Sequence, residues 1–110
     1  MIDSEIQQFW SAYKGTRHTD LSLARLFVKL AVQYAYLAGY AEHFLPNDLL
    51  GDAFYKENSS IELEAGRIID AVREVERHGS KELASSAFKN LLKRIYRQGV
   101  DAGKDIRRKV

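Results

Sequence analysis

Apolar residues in this chain recur at helical spacing, and no alternating apolar/polar run bounded by hairpin signals is present. Ile6, Phe9, Trp10 and Tyr13 stand at i, i+3, i+4 and i+7 and predict a first helix over about Ser4–Lys14, with Gly15 as its stop. The polar GTRHTD segment is then a loop whose Thr19 or Asp20 can accept from the free N–H groups of the next helix. That second helix is predicted from Leu21 to Phe44 or Leu45, because Pro46 disfavours helical geometry at the residue before it. Asn47 and Asp48 can cap a short connecting helix carrying Leu49, Leu50, Ala53, Phe54 and Tyr55. Ser59-Ser60-Ile61-Glu62 has the form of a capping box and opens a third helix. Ile61, Ala65, Ile68, Ile69, Val72 and Val75 share one face of it, and His78-Gly79 ends it.

Ser80 caps the fourth helix, which contains two glycines. At about 100° per residue, Ala84, Phe88, Leu91, Leu92 and Ile95 form an apolar arc, and Gly99, Ala102 and Ile106 return to it. A preserved phase predicts one helix to about Arg108, with the glycines allowing close packing or a slight bend. The same count on the second helix collects Ser22, Arg25, Lys29, Gln33, Tyr36, Tyr40 and His43 into an arc of about 80°. The rest of its circumference is almost wholly apolar. The expected fold is therefore all-α: one domain over residues 1–110, a bundle of four main helices plus a short connecting helix, with the long second helix central and its polar stripe as the only window to solvent or a partner.

The stretch Leu21–Leu45 is apolar enough to need a membrane test, but Arg25, Lys29, Gln33, Glu42 and His43 interrupt it, so it reads as a buried helix of a soluble bundle. The polar, acidic start MIDSEIQQFW lacks the basic and apolar regions of a signal peptide. The chain has no cysteine, which removes disulfides, thiolate metal sites and cysteine nucleophiles and suits a reducing cytoplasm.

Charge changes the picture more than composition does. Residues 1–58 hold five Lys/Arg against seven Asp/Glu, a net −2; residues 59–110 hold twelve against eight, a net +4. From Lys89 onward there are eight basic residues and two acidic ones, Asp101 and Asp105. Lys89, Lys93 and Arg97 repeat every four residues, and Lys104, Arg107 and Arg108 extend that side. Like charges at this spacing repel, and an anion offsets the repulsion. Cations position phosphates without reading sequence, and tyrosine rings stack on bases. The expected nucleic-acid-binding residues are thus Arg25, Lys29, Tyr36, Tyr40, Lys89, Lys93, Arg97, Lys104 and Arg108. Arg73 and Arg77 can join this surface, although acids interleave with them.

Catalytic constellations are sparse. His18, His43 and His78 stand at no metal-binding spacing, and Asp48, Asp52 and Glu57 lack the dense acidic pairs of helical pyrophosphatases. No glycine-rich phosphate loop or nucleophile elbow occurs. Neither a cofactor nor a metal is expected. Arg73-Glu74-Val75-Glu76-Arg77-His78 fits an Arg-x4-His pattern and resembles the motif of the all-helical HEPN ribonucleases. That resemblance implies RNA cleavage with His78 at a dimer interface, yet Arg73 and His78 should point about 140° apart on a regular helix.

In size, helical content, lack of a catalytic set and basic stripe, the chain resembles the small helical subunit of CRISPR effector complexes. The resemblance implies an antiviral-defence role, copies packed side by side, and contact with target or displaced strands. The leading expectation is a non-enzymatic subunit that contacts a nucleic-acid backbone, DNA or RNA, beside other protein subunits. The alternative is a helical protein-binding module of the phage-inhibitor, immunity-protein or assembly-chaperone kind, docking through the tyrosine stripe or the short Asp48–Tyr55 helix.

Overall fold

The structure is a computed structural model that describes residues 2–42 and 58–109, with 58, 59 and 106–109 described by backbone alone. Four helices make up the described chain: α1 (Asp3–Thr16), α2 (Leu21–Tyr40), α3 (Asn58–Arg77) and α4 (Lys81–Lys109). The described residues contain no strand. The predicted short helix at Asp48–Tyr55 lies outside the described residues.

Local chemistry sets most boundaries as the sequence implies. Asp20 accepts from Leu23 N–H at 3.0 Å and starts α2; Ser80 accepts from Leu83 N–H at 3.1 Å and starts α4. Gly79 closes α3 with φ +89°, a backbone state that side chains with a Cβ resist. Three boundaries differ from the prediction. α1 runs through Gly15 to Thr16, whose hydroxyl donates to the Ala12 carbonyl at 2.7 Å and holds the last turn. α2 ends at Tyr40, earlier than Pro46 requires. Ala41 N–H reaches Leu37 O at 2.9 Å, and Glu42 N–H reaches only three residues back to Gly39 O, which tightens the chain out of the α-helix. α3 already includes Asn58 and Ser59, so the capping-box pattern at Ser59 does not mark its start.

The core forms where the apolar faces meet. Ile6, Trp10 and Tyr13 from α1 pack with Ala24, Val28, Ala31, Val32 and Ala35 from α2. Ile61, Ala65, Ile68, Ile69 and Val72 from α3, and Ala84, Phe88, Leu92 and Ile95 from α4, complete it. Trp10 and Tyr13 both pack on Phe88, with ring centroids 5.1 and 6.2 Å apart, and so fasten α1 to the first half of α4. α2 is the central helix and packs most extensively against α4. Gly39 and Gly99 lie against the backbone of the opposite helix in that contact. The fourth helix is unbroken across Gly99 and Gly103, and both glycines are buried.

Candidate functional site

The polar stripe of α2 runs from an exposed start to a buried end: Ser22 and Arg25 are exposed, Lys29, Gln33 and Tyr36 half-buried, and Tyr40 buried. The Lys29 ammonium donates to the Glu62 carboxylate of α3. That hydrogen bond, and the Lys29 charge after it, hold the Glu62 carboxyl below its ordinary value. Arg25 reaches across α3, its Nη2 lying 3.6 Å from the place a Cβ would take on Gly66. Tyr36 is half-buried against the core, and Tyr40 is only 2% exposed. Their rings stack on one another with centroids 6.4 Å apart. Burial pushes the Tyr40 phenol above its ordinary pKa. A ring so enclosed presents no face on which a base could stack. His43, at the end of the predicted stripe, lies outside the described residues.

The outward face of α2 is instead apolar. Leu23, Leu26, Leu30 and Tyr34 follow one another by three, four and four residues and are each 37–45% exposed. Leu37 continues the row, half-buried. Tyr34 also contacts Phe9 of α1, with ring centroids 6.0 Å apart. The expectation that α2 is packed on most sides is therefore corrected. Its neighbours cover the face bearing Ala24, Val28, Ala31, Val32, Ala35 and Gly39, and leave a leucine row to solvent. By length and composition α2 could cross a membrane. However, its inward face is the middle of the core, and withdrawing it would dismantle the bundle. Single exposed leucines are ordinary on protein surfaces, whereas a contiguous apolar row marks a contact site.

α4 turns its cations away from α2. Arg94, Arg97 and Lys104 are exposed and make no ion pair among the described residues, and Lys89 is half-buried and likewise unpaired there. Lys93 reaches Asp3 at the start of α1 at 3.2 Å, so one cation of the predicted row is partly engaged. Arg94 was not singled out by the four-residue repeat, yet it is exposed beside that row. Arg108 lies in α4 by its backbone, and its side chain is outside the described residues.

Arg73 and His78 have different surroundings. Arg73 lines a cleft with Tyr13, Arg17, His18, Glu76 and Arg77, whereas His78 is exposed and contacts Glu74 at 3.3 Å. Among the described residues no three of His, Asp and Glu converge to hold a cation. Asp48, Asp52 and Glu57 lie outside the described residues.

No protein-family model, curated protein or solved structure matches this chain. Its functional reading rests on its own surfaces.

Proposed function

We propose that this chain is a non-enzymatic, backbone-contacting subunit of a nucleoprotein assembly, and that the outer face of α4 is its nucleic-acid surface. The observation that carries the reading is that Arg94, Arg97 and Lys104 are exposed on one helix without an ion-pair partner among the described residues. Phosphate oxygens satisfy such cations and release counterions from the strand. The reading agrees with the character of the small helical subunit of CRISPR effector complexes, which the chain resembles. The α2 residues Arg25, Lys29, Tyr36 and Tyr40 contribute to folding in this reading, and the contact shifts wholly to α4. Short DNA and RNA strands, titrated at several salt concentrations, should bind with an affinity that falls as salt rises. Changing Arg94, Arg97 and Lys104 together to Glu should weaken binding by at least about tenfold, the loss expected when several charge-assisted contacts become repulsive. Unaltered affinity in that variant would remove α4 from the site.

The leucine row favours a second reading, a protein-binding module, and the occupant we assign is a second copy of the chain. Leu23, Leu26, Leu30 and Leu37 occupy a heptad-like seam in which Gln33 is the polar position. Such a seam is self-complementary, and one polar residue within it fixes register. The Lys29–Glu62 pair beside Leu30 gives two facing copies opposite charges to exchange. Covering a half-exposed leucine contributes roughly 1 kcal/mol, so the pair should be weak and concentration-dependent. Sedimentation equilibrium should show association that Leu26→Glu with Leu30→Glu abolishes. A chain that stays monomeric at millimolar concentration defeats this reading. Binding to lipid vesicles that is lost in the same variant would also defeat it, by assigning the row to a lipid surface.

A further inference from the structure

We propose that the cleft between the C-terminal ends of α1 and α3 binds a phosphomonoester. The cleft measures about 470 Å³ and is lined by Tyr13, Arg17, His18, Arg73, Glu76 and Arg77. Three arginines thus line one recess beside a single carboxylate. That carboxylate is committed to positioning. Glu76 accepts from Arg17 Nη1 at 2.5 Å, and the Arg17 guanidinium also lies over the Tyr13 ring, 5.8 Å from its centroid. Arg17 is thereby fixed, while its Nε is buried and has no hydrogen-bond partner among the described residues. A buried donor costs free energy until an acceptor reaches its group. Arg73 makes no ion pair among the described residues, and Arg77 has only Glu74 at 3.5 Å. Asp70 and Glu74 border these two arginines in an adjoining groove and leave the recess itself cationic.

The ligand class follows from the donors. Planar guanidinium forks match the several oxygens of a phosphate and carry a charge that suits a dianion. Tyr13, 1% exposed, closes the base of the recess, and burial raises its phenol above the ordinary value. The volume exceeds that of a bare phosphate and falls within the range of small-ligand pockets, leaving room for a substituent. A nucleoside monophosphate and the phosphorylated end of a strand share this chemistry. Neither requires the α4 surface.

The test is calorimetric titration of the whole chain with AMP, adenosine, and short oligothymidylates carrying either a 5′-phosphate or a 5′-hydroxyl. The phosphorylated member of at least one pair should bind about tenfold more tightly than its partner. Preference within the nucleoside pair assigns a small ligand, and preference within the strand pair alone assigns a strand end. Arg73→Ala with Arg77→Ala should abolish the preference while the melting temperature holds, since both side chains are exposed. Changing Arg94, Arg97 and Lys104 to Glu should leave the preference intact even if it weakens strand binding overall. The cleft is ruled out if no phosphate preference exists, if the preference survives the double substitution, or if it disappears only with the α4 changes.

Discussion

Gly39 of α2 and Gly99 of α4 each lie against the backbone of the opposite helix. A Cβ on Gly39 would overlap the Tyr96 carbonyl oxygen and come within 2.9 Å of Val100 N. One on Gly99 would overlap the Tyr36 carbonyl oxygen and come within 3.1 Å of Tyr40 N. Ala31 and Ala35 precede Gly39 at four-residue steps, and Gly103 follows Gly99 in the same way. Small residues on matching ridges allow two helices to meet backbone to backbone.

Gly39→Ala and Gly99→Ala should each destabilise the fold. Alanine is the better helix former by about 1 kcal/mol, but overpacking a rigid contact costs about 1–3 kcal/mol, and here the obstacle is backbone. Gly15 supplies the control, because a Cβ there meets nothing within 4 Å. Gly15→Ala should stabilise the chain by up to about 1 kcal/mol. Urea denaturation of the three variants checks both signs.

Removing a cap should weaken the bundle without altering its surfaces. Asp20→Ala and Ser80→Ala each delete an acceptor for an N–H in the first turn of a helix and should cost about 1 kcal/mol apiece. Thermal unfolding measures the loss, and an unchanged melting temperature would deny the cap its role.

The fold should weaken in alkali. Burial raises the phenols of Tyr13 and Tyr40 above their ordinary value of 10.0. The folded pKa values then exceed those of the unfolded chain. The stability tied to the neutral phenols is complete below about pH 10 and is lost as pH rises through the folded values. Tyr40→Phe removes one titrating group and should flatten the alkaline arm of a stability–pH curve.

The acid arm should report the α2–α3 seam. Lys29, by its hydrogen bond and then its charge, lowers the Glu62 carboxyl from its ordinary 4.5. The contribution is therefore complete above about pH 4.5 and is lost as pH falls through the folded value. A double-mutant cycle with Lys29→Ala and Glu62→Ala should give a small coupling that shrinks with added salt, because Glu62 is exposed and Lys29 only half-buried.

The fold was legible because helix periodicity, caps and glycines agreed. The α1 face of Ile6, Trp10 and Tyr13, the Asp20 and Ser80 caps, the Gly79 stop and the continuous phase across Gly99 could all be read directly. The surface of α2 was not legible, for a physical reason. Sequence alone assigns a polar stripe to solvent because polar groups favour water, but charged groups at the border of two helices can satisfy one another. Lys29 does so with Glu62 of α3, and Tyr36 and Tyr40 line the contact with α4. The row Leu23, Leu26, Leu30 was visible at three- and four-residue spacing, yet an apolar row reads as core until the neighbours are placed. Arg17 belongs to a loop in the sequence, and only the meeting of α1 and α3 ends brings it beside Arg73 and Arg77.

If α4 is the nucleic-acid surface, as proposed, its length sets how much of a strand one molecule holds. The helix has 29 residues in a molecule whose longest dimension is 48 Å. Arg94 to Lys104 covers only about 15 Å of it at the helical rise. A duplex presents one phosphate per about 3.4 Å along each strand, so that span matches some four or five phosphates. On the proposed nucleic-acid reading, the footprint of a single chain is a handful of nucleotides. On that reading, continuous coverage of a longer strand demands a line of chains, each adding its own short grip.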